Sequence, residues 1–207
     1  MVPGNAKGIK RGAPIISTGL NACINADITL DEVRIPVSHF ITGIETANSI
    51  FIWINLLSGA VSLGAALNFF EILSDWSEAR VIKGFTMLKE NPLCASVLAD
   101  VAEELACAKL LLLDLATLIS DSGMTGSQDA ARLYTYGVMI GSRVQQGVMK
   151  AINRGLELMG SAGYAREWHV EKHWRDVKTI QAYLCGVAAE APVRMDTARF
   201  FYSCKEI

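Results

Sequence analysis

From Thr46 to Phe70 the chain runs 25 positions without a charged residue, rich in Ile, Leu, Phe, Trp and Ala. A helix of that length either crosses a bilayer or is packed inside a domain. Asn48, Asn55 and Ser62 recur every seven residues within it and fall on one helical stripe. Polar side chains of this kind are costly in lipid but acceptable between packed helices or beside a ligand. We therefore read the segment as the most buried helix of a bundle and expect no membrane span. Its pattern starts near Gly43 and continues through Asp75 and Arg80 toward Leu88.

The helical pattern persists to the end of the chain. Asn91 can cap a second helix with Pro92 at its first position, and Val97, Val101, Leu105, Ala108, Leu112, Leu115 and Ile119 form its apolar stripe. Gly123 is its stop, and Ser120 to Gln128 reads as a loop by composition. A third helix is predicted from about Asp129 to the break at Gly160, and a fourth carries Val170, Trp174, Val177, Gln181 and Leu184 on one face. Pro192 is placed to open a last short helix ending near Tyr202.

The first forty residues read differently. Ala22, Ile24, Ala26, Ile28 and Leu30 alternate with polar or small residues, which predicts a half-buried strand, and Pro36 closes the extended stretch. One or two strands cannot be stable alone. The expected fold class is mainly α: an up-and-down four-helix bundle over residues 41–207, preceded over 1–40 by a few strands of an incomplete β-domain.

Composition narrows the function classes. With 207 residues and 51% hydrophobic content the chain can bury a sizeable core, and a formal charge of −2 supplies no basic surface for nucleic acid. Five scattered cysteines with no CxxC spacing suggest neither a disulfide framework nor a zinc site, so a cytoplasmic setting is expected. The basic N-terminus lacks an apolar segment behind it and does not read as a secretory signal. The sequence contains no phosphate loop, GxSxG or HExxH. His169 and His173 have the four-residue spacing of helical metal ligands, but no third ligand accompanies them and no metal is expected. Gly160, Ser161, Ala162, Gly163 and Tyr164 form a small-residue turn where a ligand or another backbone can come close.

Residues 156–186, LELMGSAGYAREWHVEKHWRDVKTIQAYLCG, resemble the acyl-CoA dehydrogenase segment in which a GGxG turn leads to a glutamate, a basic residue and Arg-Asp, here Glu171, Lys172, Arg175 and Asp176. Gly64 followed sixteen residues later by Arg80 resembles the family's long helix, and NPLCASVLADVAEELACAK its next helix. PGNAKGIKRG and ADITLDEVRIP look like the closing strands of the family's middle β-domain. The resemblance covers about nine tenths of the chain, in order.

That resemblance implies an FAD-dependent oxidation of an acyl-CoA thioester to the 2,3-enoyl-CoA, with a glutamate taking the α-proton and flavin the β-hydride. The two positions the family uses for the base are Cys185, before Gly186, and Ile54, before Asn55. A thiol with a pKa near ~8.5 is mostly protonated at neutral pH and isoleucine has no proton acceptor, so neither replaces the carboxylate. Cofactor contacts carry over to Arg80, Glu157, Gly160 and Gly163. Arg80 takes the place of an arginine reaching the FAD diphosphate of a neighbouring subunit, and Glu157 that of a glutamine at the adenine end. The family's Phe-Gly after the arginine is replaced by VIKGF. The family's N-terminal helical domain and first strands have no counterpart in the sequence, which is therefore read either as one half of a split enzyme joined by a partner carrying the other half or as a truncated piece of a longer chain; a homo- or hetero-oligomer is expected. The non-catalytic alternative is a structural subunit of such an assembly; a related flavin-dependent monooxygenase is the other reading.

Overall fold

The computed structural model describes residues 2–82, 84, 86–121, 127–184 and 186–203; of residues 127–129 and 186–190 it describes the backbone alone. A hairpin of two antiparallel strands, β1 (Ile9–Ile15) and β2 (Asn25–Leu30), comes first. Then follow the long helix α1 (Ile44–Ala79), a two-residue hairpin β3 (Val81–Ile82) and β4 (Thr86–Met87), and helices α2 (Pro92–Asp121), α3 (Ser127–Met159), α4 (Val170–Tyr183) and α5 (Gly186–Ser203).

The bundle is built around α1 and α3. Ile52 lies against Gly137, Asn55 against Gly141, Gly59 against Val144 and Phe69 against Gly155. The numbers climb together, so the two helices run parallel, and the glycines bring them close: a Cβ at Gly155 would stand 2.5 Å from the Phe69 ring and 2.8 Å from Leu73. Across this seam the Ser62 hydroxyl and the Gln145 side-chain amide, both buried, hydrogen-bond at 3.0–3.1 Å. The stripe of Asn48, Asn55 and Ser62 thus faces other helices in part: Ser62 is fully buried, the other two half so.

Helix α2 forms as its sequence predicts. The Asn91 side-chain oxygen accepts hydrogen bonds from the backbone N–H groups of Leu93 and Cys94, satisfying donors that no preceding turn can bond. All seven residues of its predicted stripe are buried. Polar pairs add to the α2–α3 contact: Glu104, whose side chain is largely covered, accepts from Lys150 at 2.6 Å and Arg143 at 3.4 Å.

Four expectations change. α1 ends at Ala79 rather than near Leu88, because Arg80 turns extended and its carbonyl accepts from Leu88 N–H across the β3–β4 hairpin, with Gly84 at φ +94°. α5 is a full 18-residue helix with Pro192 inside it, not at its start. It packs on α3, where the Phe201 and Tyr136 rings meet edge to face at 6.5 Å. β2 begins at Asn25, since Leu20 at φ 53° and the Cys23 N–H bonded to the Leu20 carbonyl turn the chain just before it. The β1–β2 hairpin is exposed along nearly its whole length, Ile28 and Leu30 included, so the half-buried strand lacks a covering layer among the described residues.

α1 is long and apolar enough, by length and composition, to cross a membrane. Its neighbour α3 runs alongside with Arg143 and Lys150 at the same level, both more than half exposed, and a bilayer around α1 would have to take in these charges.

Candidate functional site

Because α1 and α3 are parallel, their C-terminal ends lie toward the same end of the bundle. Arg80 closes α1 there, and the 3₁₀ turn Gly160–Tyr164 closes α3 before α4 turns back. Arg80 is exposed; its guanidinium stacks over the Trp76 ring at 5.9 Å from the centroid and forms no ion pair among the described residues. The contact follows from the four-residue spacing of Trp76 and Arg80 at the end of one helix, a signal present in the sequence.

The two glycines of the turn differ. Gly160 sits at φ +61° with no atom within 4 Å of where a side chain would start, so its backbone is open to an approaching group. Gly163 is buried, and a Cβ there would stand 2.8 Å from the Leu156 carbonyl oxygen; its role is close packing of the turn on α3. Glu157 is exposed and pairs with Arg154 at 3.4 Å, while Arg154 also reaches Asp100 at 3.6 Å. Glu157 lines an open groove of about 420 Å³ between α3 and α4, with Asn153, Arg154, Lys178 and Gln181. The carboxylate that opposes an anion at this position is thus partly offset by its own neighbour.

The base positions are separated from this end. Ile54 lies on the outer side of α1, 41% exposed, some seven turns before Arg80. Asn55 donates to the Phe51 carbonyl at 2.8 Å and packs against Gly141, so it serves the helix seam. Cys185 lies outside the described residues. His169 is in the left-handed region at φ 56° ahead of α4, while His173 is inside it with its ring edge-on to Phe69 at 6.4 Å. The pair therefore does not share a helical face, and no group of three candidate metal ligands exists among the described residues.

The Arg-Asp pair of α4 acts as a clasp. Arg175 donates to the Thr18 carbonyl at 2.8 Å, Asp176 accepts from the Leu20 N–H at 2.7 Å, and the Thr179 hydroxyl accepts from the Gly19 N–H at 3.1 Å. Gly19 approaches the Arg175 carbonyl so closely that no side chain fits. Residues 18–20 are thereby bound to the bundle, and Asn25 of β2 adds a hydrogen bond from its side-chain amide to the Tyr183 hydroxyl. Burial pushes the Asp176 carboxyl up, but Lys172 and the Leu20 N–H outweigh it and hold its pKa below the usual value. Burial likewise raises Glu171, and Arg175, 3.0 Å from one of its oxygens, more than reverses the shift. The other Glu171 oxygen is buried and has no side-chain hydrogen-bond partner among the described residues. Burial, with Lys172 beside it, lowers the His173 pKa against the pull of Asp176 and Glu171. Sequence reasoning missed Thr179 and Gly19 in this clasp, because nothing local links positions 160 apart.

Comparison with known proteins agrees with this architecture. The chain is 26% identical over 187 residues to cyclohexane-1-carbonyl-CoA dehydrogenase of Geobacter metallireducens, covering 88% of this chain and 47% of that protein. It is 22% identical over 182 residues to the caffeyl-CoA reductase-Etf complex subunit CarC of Acetobacterium woodii, covering 86% and 46%. The fold matches butyryl-CoA dehydrogenase from Megasphaera elsdenii with a TM-score of 0.81 at 19% identity, over 95% of this chain and 49% of that one. The chain thus spans about half the length of the relatives it matches. The family described as acyl-CoA dehydrogenase, C-terminal domain, matches residues 56–186, well over half of the sequence. By fold, order of elements and sequence, this chain belongs to the acyl-CoA dehydrogenase family.

Proposed function

We propose that this chain is a subunit of an FAD-dependent acyl-CoA dehydrogenase assembly, in which a polypeptide carrying the N-terminal half completes the active site. The observations that support the reading are an exposed Arg80, without an ion pair among the described residues, and the open backbone of Gly160, both toward the end of the bundle where α1 and α3 stop. A guanidinium and an unobstructed turn suit a diphosphate. Arg80 would hold that group, with its position kept by Trp76; Gly160 would let it approach, and Gly163 would keep the turn seated on α3. Glu157, paired to Arg154, would meet the nucleotide's polar edge. When bound, the flavin would accept the β-hydride of the acyl-CoA. The proton acceptor belongs to the partner, because Ile54 has none to offer and Cys185 is a poor one.

A second reading, a non-catalytic subunit that keeps the bundle for assembly, is favoured by one observation: the α1 base position is an isoleucine on an apolar surface. The visible absorbance of the protein, purified alone and after co-expression with its genomic neighbours, separates the two. Yellow flavin that bleaches on addition of acyl-CoA supports the dehydrogenase. Colourless protein in both preparations supports the structural subunit.

A further inference from the structure

We infer that the groove between α3 and α4 binds the phosphate group of a small soluble phosphate monoester, with Lys178, Gln181 and Asn153 as its donors. The groove has an open volume of about 420 Å³, within the range of sites for small molecules rather than bare ions. One side is a single face of α3, where Gln146, Lys150, Asn153 and Glu157 follow one another at spacings of three and four; the other side is Lys178 and Gln181 of α4, and buried Met149 lies beneath. The inference is independent of the flavin reading, since it uses neither Arg80 nor Gly160.

The hydrogen-bonding atoms of the groove choose the ligand. The Trp174 indole N–H donates to the Asn153 side-chain oxygen at 2.7 Å; an indole can only donate, so this bond fixes which way the Asn153 amide is turned and leaves its NH2 group unbonded among the described residues. The Lys178 ammonium donates to the Gln181 side-chain oxygen at 2.8 Å, and since an ammonium accepts nothing, the Gln181 NH2 group is left in the same way. Lys178 keeps two further N–H groups and forms no ion pair among the described residues, unlike Lys150, held by Glu104 at 2.6 Å, and Arg154, shared between Asp100 and Glu157. One positive charge without a counter-charge, beside two oriented amide donors, suits an oxygen-rich anion. A phosphate monoester accepts from several directions at once, whereas a carboxylate accepts close to one plane. The one carboxylate of the groove, Glu157, lies about a turn of α3 beyond Asn153, and its charge is partly answered by Arg154.

The test is a titration of the full, isotope-labelled chain with glycerol 3-phosphate at constant ionic strength, read by NMR on the side-chain NH2 signals of Asn153 and Gln181. Both pairs of signals should move together and saturate. Lys178→Met should weaken the binding by about tenfold or more while leaving thermal unfolding in place, because the exposed side chain contributes a charged donor and little packing. Gln181→Glu should abolish saturation, since a carboxylate then stands where the amide donated. Shifts matched by acetate at the same concentration overturn the phosphate class. Shifts that grow without saturating, or that are the same in Lys178→Met, mean an adventitious ion only and overturn the site. Sedimentation of the chain with phosphatidic acid vesicles, without a response to glycerol 3-phosphate, means a lipid headgroup and overturns the soluble ligand.

Discussion

The two sides of α1 are made of the same kinds of residue and meet opposite fates. On the inner side Phe69, Leu73 and Ile52 are essentially inaccessible, pressed onto glycines of α3; on the outer side Trp53, Leu57 and Val61 stand open. Hydrophobicity alone does not distinguish them. What does is the supply of complementary small residues at helical spacing on α3, with Gly137, Gly141 and Gly155 making room for the inner set. The outer set has no such receptor among the described residues.

Substitutions on the two sides should therefore differ sharply. Gly155→Leu forces a side chain into the Phe69 ring and Leu73, and should destabilise by more than about 3 kcal/mol, seen as loss of cooperative thermal unfolding by circular dichroism. Phe69→Ala opens the same seam from the other helix and should cost about 3–5 kcal/mol in denaturant titration. If either variant unfolds like the parent, the seam is not what holds the bundle.

A polar contact of intermediate weight is the clasp on residues 18–20. Asp176→Ala leaves the Leu20 N–H without its charged acceptor, at a cost of about 1.5–3 kcal/mol confined to the hairpin. Hydrogen exchange at Leu20 should accelerate while α1 and α3 stay protected; uniform acceleration would mean that the hairpin and bundle unfold as one. Its pH dependence has a definite sign. The Asp176 and Glu171 carboxyls are held below their ordinary values of 3.8 and 4.5, so their stabilisation is complete above those values and is lost as pH falls through the lowered ones. His173 is likewise held below its ordinary 6.5, so folding favours the neutral ring and stability begins to decline as pH drops beneath 6.5. His173→Gln should remove that upper part of the acid slope and leave the carboxylate part.

The smallest effect belongs to the outer side. Leu57→Lys should change the unfolding free energy of the isolated chain by no more than about 0.5 kcal/mol, because the site is already in water. A loss several times larger would show that the stripe is covered within the chain, and the contrast between the two faces would collapse.

Much of this was legible beforehand, for local reasons. Asn91 and Pro92 mark a helix start whatever surrounds them, and the seven-residue stripe of α2 is buried in full because a period of 3.6 leaves one face for a core. The alternation in residues 22–30 produced a strand, and the small-residue turn at Gly160 ended α3. Of the candidate site, Arg80, Glu157, Gly160 and Gly163 are expectations of the family resemblance, while the lack of a carboxylate at position 54 is read from the sequence directly.

The remainder came only with the folded chain. That Gly160 is open while Gly163 is packed depends on where the Leu156 carbonyl falls, and that Arg80 lies over Trp76 depends on how α1 ends. That His169 and His173 part company depends on a left-handed residue ahead of α4. That Arg175, Asp176 and Thr179 grip residues 18–20 depends on contacts between residues some 160 positions apart. Periodicity, caps and residue chemistry act within a few residues and are written in the sequence; which faces meet, and which stay open, is decided by packing between segments far apart in the chain.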